Sequence, residues 1–351
     1  MERSARSGRS PGLAVNAPPW IAAQREALIG QPGHAWLLQG PSGLGQYALA
    51  QELAQAWLCE APSPQGACGQ CPSCHAITVR THADLCVLMP ETAMMALGWP
   101  LTEKAQQEID DKKRKPSKEI RVEALRDAVE FAQRTSARGR GKVVLVYPAE
   151  RMNAIAANAL LKTLEEPVGA MRFVLATEAA HQLLPTIRSR CLTHTLIWPT
   201  QDAALTWLQA QDLSASDAQV LLNAAGGRPE AALGWAQAGL TARQWCALPQ
   251  AVARGEVTAL ADWTPSQAVD ALQKICHDLM AVACGGTPRF FALTDLPPGV
   301  PLAPLAAWWR ELADMLRTAE HPFNGGLMLE VLVSRGRAAL HSTRLAPSRR
   351  P

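Results

Sequence analysis

Four cysteines packed into one short stretch constrain this chain more than any other feature of its sequence. They follow the spacing C-x8-C-x2-C-x2-C, at Cys59, Cys68, Cys71 and Cys74. Short C-x2-C knuckles bring thiolates to a shared point, and zinc prefers four such soft ligands in a tetrahedron. Because four sulfurs leave no open coordination position, the spacing predicts a structural Zn²⁺ site with no hydrolytic role.

Composition indicates the cellular compartment of the chain and argues against two classes of function, nucleic-acid binding and membrane association. The start of the chain lacks the apolar core of a secretory signal, so its nine cysteines predict a reducing compartment, the cytoplasm, where clustered cysteines bind metal. With 34 basic and 31 acidic residues the net charge is +3, well below that of a dedicated nucleic-acid-binding domain. No run is apolar enough to span a bilayer, so no membrane partner is expected.

Hydrophobic patterning predicts more than one domain in a chain of 351 residues. Apolar runs predict strands at residues 35–39, 85–88, 142–147, 173–177 and 192–198, alternating with helical spacing at 44–58, 120–133 and 154–164. Strands alternating with helices are typical of a doubly wound α/β domain with a parallel sheet, here residues 20–198. Residues 91–118, interrupted by Pro100 and Pro116 and carrying the run DDKKRK, are predicted to form an exposed, mobile insertion.

The strand signal ends after Pro199. Residues 199–240 predict a few short helices, and residues 241–342 predict a longer helical region rich in alanine and tryptophan. The outer segments, 1–19 and 343–351, are predicted to be disordered.

Residues 40–47 read GPSGLGQY between a predicted strand and a predicted helix, which is the setting of the phosphate-binding motif G-x-x-x-x-G-K-[S/T]. Gln46 stands where the motif has a lysine that reaches the terminal phosphates, and Tyr47 where a small hydroxyl holds magnesium. The glycines of the loop are Gly40, Gly43 and Gly45. Backbone amides at a helix N-terminus could still attract an anion. Without the ammonium group and the metal ligand, we expect a degenerate loop that does not bind Mg-ATP productively.

The residues that follow the predicted strand at 142–147 indicate that the nucleotide site has lost a second feature. Acidic residues for magnesium and water would be expected directly after such a strand in an ATPase. Only Glu150 is acidic there, and it is displaced from the strand end. Two independent losses make a silent nucleotide site the favoured interpretation.

Two further segments are informative only in combination. Residues 158–167 read NALLKTLEEP, a helical pattern that ends at a proline, and residues 184–191 read LPTIRSRC between two predicted strands. Taken alone, the first is a core-packing helix and the second an exposed turn with solvated arginines.

The order of these features resembles the clamp-loader branch of the AAA+ fold, in the family of delta-prime subunits of bacterial DNA polymerase III. The resemblance covers residues 20–198 by motif and the rest by general layout. It implies an α/β AAA+ core with an inserted zinc module at 59–74, a small helical lid at 199–240, and an all-α collar at 241–342. The catalytic gamma/tau subunits of that group keep the loop lysine, which this chain lacks.

The resemblance also implies a function and partners. The chain would be no enzyme on its own, but a subunit of a hetero-pentameric ring with gamma/tau and delta subunits that loads the sliding clamp onto primed DNA. The SRC motif falls on Ser189, Arg190 and Cys191, so Arg190 would act in trans at the ATP site of a neighbouring gamma subunit, with Ser189 beside it. Arg228, in GGRP, lies near the position of a phosphate-sensing arginine in active relatives, a role that a silent loop would leave unused.

Two other functions remain open at this point. A divergent ATP-hydrolysing subunit would use Gln46 and Glu150 in unusual roles, and turnover by the isolated chain would identify it. A zinc-dependent nucleic-acid-binding module would show strongly salt-dependent DNA binding. The low net charge and the lack of aromatic residues between the cysteines argue against the second alternative.

Overall fold

The computed structural model describes residues 18–318 and 325–342. The predicted disordered tails therefore lie almost wholly outside the described residues; of the first tail only Pro18 and Pro19 are described, and Pro19 begins a helix. The described chain forms two compact units, one ending at Pro199 and the other beginning at Thr200. Within the described residues, no helix has the length and apolar character needed to cross a membrane.

The first unit is built on one five-stranded sheet. Its strands are β1 (Ala35–Gln39), β2 (Leu85–Leu88), β3 (Lys142–Val146), β4 (Met171–Thr177) and β5 (Leu192–Thr195). All neighbouring strands are parallel, in the order β2-β3-β4-β1-β5. Every residue of β3 is buried, as expected for a β-branched run in a sheet that is covered on both faces. The prediction of a parallel α/β sheet is confirmed.

Helices cover both faces of this sheet. The helices of the first unit are α1 (Pro19–Ile29), α2 (Gln46–Leu58), α3 (Pro72–Thr78), α4 (Glu91–Ala96), α5 (Glu103–Asp110), α6 (Val122–Gln133), α7 (Ala154–Glu165) and α8 (Pro185–Arg188). Leu125 of α6 and Leu160 of α7 pack in one cluster with Val144 and Phe173 of the sheet. Helix α2 packs against β1, β3 and β4. Because side chains alternate across each strand, these two contacts use opposite faces.

Most of residues 91–118 are exposed, as an insertion would be, but the segment also has regular structure and anchoring contacts. It contains α4 and α5, and Glu91 is only 8% exposed. Its carboxylate accepts hydrogen bonds from Arg114 Nη1 at 2.5 Å, from Arg114 Nη2 at 2.9 Å and from the Ser117 N–H at 2.8 Å. Prolines and charged residues interrupt the hydrophobic periodicity of this segment, so its sequence does not predict the helices. The segment is held in place by ion pairs between residues that are distant in sequence.

The second unit is helical throughout its described residues. Its helices are α9 (Gln201–Gln209), α10 (Ala215–Ala224), α11 (Pro229–Gln237), α12 (Ala242–Arg254), α13 (Pro265–Ala283), α14 (Leu302–Thr318) and α15 (Gly325–Leu340). One hydrophobic cluster includes Leu208, Leu221 and Ala232, and a larger one includes Trp245 and Leu272. The helical C-terminal part is therefore confirmed, and its division into lid and collar stays a prediction.

Candidate functional site

The carboxyl edge of the sheet collects the residues of the predicted nucleotide site. Strand β1 leads into the loop of residues 40–47, β3 leads into Tyr147, and β4 leads into Glu178. Parallel strands place these three connections at one edge, which is where open α/β sheets bind ligands.

Glycine is required at two positions of the loop. Gly43 has φ 85° and Gly45 has φ 100°, a left-handed conformation that other residues rarely adopt. Gly45 is also the residue from which α2 starts. At Gly40 an added Cβ would lie 3.3 Å from Leu196 Cβ, so the backbone there approaches a neighbouring segment closely. The loop thus keeps the backbone shape that its sequence predicts.

Gln46 closes the loop on itself. Its side chain is buried, with 2% of the residue exposed. Its amide nitrogen Nε2 donates to the Gly40 carbonyl oxygen at 2.5 Å and to the Pro41 carbonyl oxygen at 2.7 Å. Both amide hydrogens are therefore used inside the loop, and no ammonium group is present to bind a phosphate.

Tyr47 is covered by two other aromatic residues. Its hydroxyl accepts a hydrogen bond of 2.6 Å from the indole N–H of Trp99, and its ring centroid lies 5.2 Å from that of Tyr147. Tyr147 in turn donates to Glu178 Oε1 at 2.8 Å. Burial raises the pKa of Tyr47 above its usual value, so its hydroxyl stays neutral. We call Tyr47, Trp99 and Tyr147 the aromatic cover of the loop.

Sequence reasoning missed Trp99 altogether. The residue lies in the segment that lacked periodicity, and 52 positions separate it from Tyr47. A tryptophan in a segment without periodicity was the only available signal, because a large aromatic residue is seldom left fully exposed.

Glu150 is engaged by the end of β4. Its Oε2 accepts from the Thr177 hydroxyl at 2.7 Å, and its Oε1 accepts from the Glu178 N–H at 3.2 Å. The carboxylate therefore serves to fix the chain after β4.

Arg190 lies on the turn between α8 and β5, and its guanidinium contacts the end of α7. Nε donates to Glu165 Oε1 at 2.5 Å, Nη2 contacts the same oxygen, and Nη1 donates to the Thr186 carbonyl oxygen at 2.8 Å. The Ser189 hydroxyl donates to the same carbonyl at 3.2 Å. The Arg190 side chain remains 31% exposed, so another molecule could still reach it.

Cys191, the last residue of the SRC motif, is partly buried. It packs against the hydrophobic cluster on the α6 and α7 face of the sheet. Burial raises the pKa of its thiol to about 11, which makes it a packing residue and a poor nucleophile at neutral pH.

The four clustered cysteines come together at the end of α2. Cys59 follows α2, Cys71 caps the N-terminus of α3, Cys74 lies within α3, and Cys68 lies in the loop between the helices. Their sulfur atoms all lie within 4.8 Å of one another, with Cys59 and Cys71 at 3.8 Å and Cys68 and Cys74 at 4.0 Å. A tetrahedron with Zn–S bonds of about 2.3 Å has S–S edges of about 3.8 Å. The cluster could therefore hold a metal ion such as zinc.

Backbone amides support thiolates at this cluster. The N–H groups of Cys68, Cys71 and Cys74 donate to the sulfurs of Cys59, Cys68 and Cys71, at 3.3, 3.4 and 3.4 Å. Backbone N–H groups lower the pKa of Cys68, and the N–H of Gln70 has the largest effect. At Cys71, burial raises the pKa, but hydrogen bonds from N–H groups outweigh burial and lower the pKa to about 6. Burial raises the pKa values of Cys59 and Cys74. All four sulfurs are therefore ionised together only when a cation shares their charge.

A polar chain links the cysteine module to the sheet, and sequence reasoning did not find it. Glu60 Oε1 accepts from the Ser73 hydroxyl and from Arg138 Nη1, both at 2.8 Å. The N–H of Arg138 donates to Asp84 Oδ2 at 2.9 Å, and Asp84 comes directly before β2. Two residues beside the cluster are thus tied to the sheet edge.

In the second unit, Arg228 lies directly before α11. Its Nε donates to the Ala225 carbonyl oxygen at 2.7 Å. This bond holds the guanidinium group against the end of α10.

Comparison with known proteins matches the same region of the chain. The sequence profile of the family described as "DNA polymerase III, delta subunit" matches residues 20–198. The DNA polymerase III subunit delta-prime of Pseudomonas aeruginosa is 40% identical over 215 residues, 60% of this chain and 58% of that protein. The delta-prime subunit of Escherichia coli is 35% identical over 221 residues, 61% of this chain and 59% of that protein.

A more distant relative is a different subunit. The DNA polymerase III subunit tau of Salmonella typhimurium is 34% identical over 164 residues, 47% of this chain and 22% of that protein. This chain spans less than two thirds of the length of the delta-prime relatives that it matches.

Proposed function

Because this chain belongs to the family described as DNA polymerase III, delta subunit, we propose that it is the delta-prime subunit of a clamp loader. Its first unit would be an AAA+-type core, and its second unit would supply the lid and the collar. Two relatives carry the name delta-prime and a third the name tau, which supports an assembly with gamma/tau subunits. In a hetero-pentameric ring that also holds delta, the chain would help to load the sliding clamp onto primed DNA.

The chain would take part in this ATP-driven process without hydrolysing ATP itself. The observation that carries this proposal is the amide of Gln46, which donates to two carbonyl oxygens of its own loop where an ATPase presents an ammonium group. Tyr47 adds to it, because a neutral, partly buried phenol that is bonded to Trp99 is a poor ligand for magnesium.

Calorimetric titration of the full chain with Mg-ATP tests this part of the proposal. We expect no saturable heat up to about 1 mM, a concentration that would reveal a binding free energy near 4 kcal/mol. The double variant Gln46→Lys, Tyr47→Thr rebuilds the motif and is the matched control. Micromolar binding by the natural chain would contradict a silent loop and favour an ATP-sensing or ATP-hydrolysing subunit.

Arg190 would be the chemical contribution of the chain to its neighbour. A guanidinium that approaches the γ-phosphate of an adjacent subunit stabilises the charge that develops there during hydrolysis. In the chain alone, Glu165 already holds this guanidinium with an oxygen 2.5 Å from Nε. The γ-phosphate of the neighbour would replace that carboxylate as the anionic partner of Arg190. Ser189 would position the turn through its bond to the Thr186 carbonyl oxygen.

The cysteine cluster would hold one structural Zn²⁺ ion through four thiolates. When bound, the ion supplies a rigid four-point link between the end of α2 and α3. The contacts of Ser73 and Arg138 with Glu60 would then pass this rigidity to the sheet edge. Zinc analysis of the purified chain should find one equivalent, and an absence of metal from chain purified without chelator would refute the assignment.

A further inference from the structure

A small cavity in the second unit is lined by aromatic rings and carboxylates. Its volume is about 130 Å³, and its wall includes Trp235, Trp245 and Trp263 together with Asp262 and Asp270. The volume is close to the roughly 150 Å³ of an engineered cavity that holds benzene. It therefore fits the end of one side chain, and a nucleotide is too large for it.

The three indoles form a stack along this wall. The ring of Trp245 lies 5.7 Å from that of Trp235 and 6.3 Å from that of Trp263, with interplanar angles of 23° and 12°. Trp245 is 1% exposed, and its other aromatic neighbour, Phe291, lies 4.7 Å away. Fixed indole faces of this kind attract cations through the ring quadrupole.

The chain already places one cation of its own against these rings. Lys274 Nζ lies 4.4 Å from the ring centroid of Trp235 and 2.6 Å from Asp270 Oδ2. Lys274 is only 6% exposed and does not line the cavity, and its ammonium compensates the charge of Asp270.

Asp262 is left with its charge uncompensated. It is exposed at the cavity wall and forms no ion pair with any residue that the structure describes. No lysine or arginine lines the cavity in the described part of the chain, so the cavity carries a surplus negative charge beside stacked aromatic faces.

We infer that this cavity is a docking site for an arginine side chain presented by a partner protein chain. A guanidinium group is planar, so it stacks on an indole, and its N–H groups bond a carboxylate at the same time. The cavity offers an indole stack and an unpaired carboxylate within one side-chain-sized space. The site lies wholly in the second unit, and its chemistry depends neither on the nucleotide loop nor on Arg190.

The test uses the full chain with ¹⁵N-labelled tryptophan indoles and observes the indole N–H signals by NMR. The probe is N-acetyl-arginine amide, titrated to about 100 mM at constant ionic strength. N-acetyl-citrulline amide, which has nearly the same shape and no charge, is the matched control ligand. We expect saturable shifts of the Trp235 and Trp263 signals, assigned by Trp→Phe variants, with the arginine compound only.

Two variants make the result specific to the cavity. Asp262→Asn should weaken binding of the arginine compound about two- to fivefold, the effect of a partly exposed ion pair. Trp263→Leu should weaken it at least about threefold. Asp202→Asn, an exposed carboxylate at the start of α9, should leave it unchanged. Equal shifts with the citrulline compound, unaltered affinity in Asp262→Asn, or no saturable shift would each overturn the inference.

Discussion

Replacing Trp99 with alanine is expected to lower the free energy of unfolding of the first unit by about 3–5 kcal/mol. Trp99 is 9% exposed, and its indole N–H donates to the Tyr47 hydroxyl at 2.6 Å. The Arg80 guanidinium lies 5.4 Å from its ring centroid. The hydrogen bond contributes about 1 kcal/mol and the cation–π contact about 0.5–1 kcal/mol. Burial of the large ring contributes the remainder.

Urea unfolding followed by far-UV circular dichroism, with hydrogen exchange of the β1 and β4 amides, measures this loss in the first unit. Trp99→Phe is the matched control, because it keeps a ring and removes the hydrogen bond, at an expected cost of about 1–2 kcal/mol. A loss below about 1 kcal/mol in Trp99→Ala, or equal losses in both variants, would refute the claim that Trp99 is packed against Tyr47 and Arg80.

Three further predictions follow from other contacts. Asp84→Asn should lower the free energy of unfolding by about 2–3 kcal/mol at neutral pH. Burial alone would raise the pKa of Asp84, but the N–H groups of Ala137 and Arg138 outweigh burial and hold this pKa below its usual value. The stabilisation by the carboxylate is therefore present above the usual pKa and is lost as the pH falls through the lower pKa of the folded state. The difference in unfolding free energy between Asp84→Asn and the natural chain, measured in urea, should therefore shrink as the pH falls below about 4, the usual pKa of an aspartate, and a constant difference would contradict this cause. A strong chelator should release one Zn²⁺ per chain and expose residues 59–74 to hydrogen exchange, and full protection after metal loss would contradict a structural role. Glu165→Gln should raise ATP turnover of the reconstituted loader by up to about fivefold, measured as phosphate release, because a surface ion pair no longer competes for Arg190; a decrease would contradict competition.

The sheet could be predicted because its three central strands, β3, β4 and β1, are apolar runs whose sequence indicates their burial. Residues 142–146 are a continuous apolar and β-branched run after Lys142, and all five positions are buried as such a run predicts. The cysteine cluster could be predicted for the same reason, because Cys68, Cys71 and Cys74 follow one another with only two residues between neighbours. Both features depend on spacing within one short segment.

The features that sequence reasoning missed depend on contacts between distant segments. Trp99 meets Tyr47 across 52 positions, and Glu91 meets Arg114 across 23. Neither pair has a spacing that belongs to a helix or a strand, so the periodicity of the sequence does not predict either contact. The same is true of the bond between Arg190 and Glu165, which requires the end of α7 and the turn after α8 to meet.

Steady-state ATP hydrolysis by a loader reconstituted with gamma and delta subunits tests the central claim most directly. With Arg190→Ala in place of the natural chain, we predict an intact complex by size-exclusion chromatography and a lower steady-state turnover, because hydrolysis at the one neighbouring ATP site would fall by about 10³-fold. Arg188→Ala, which removes an exposed arginine at the end of α8, is the matched control and should stay close to the natural rate. Natural turnover in an assembled Arg190→Ala complex would contradict a trans-acting role for this chain.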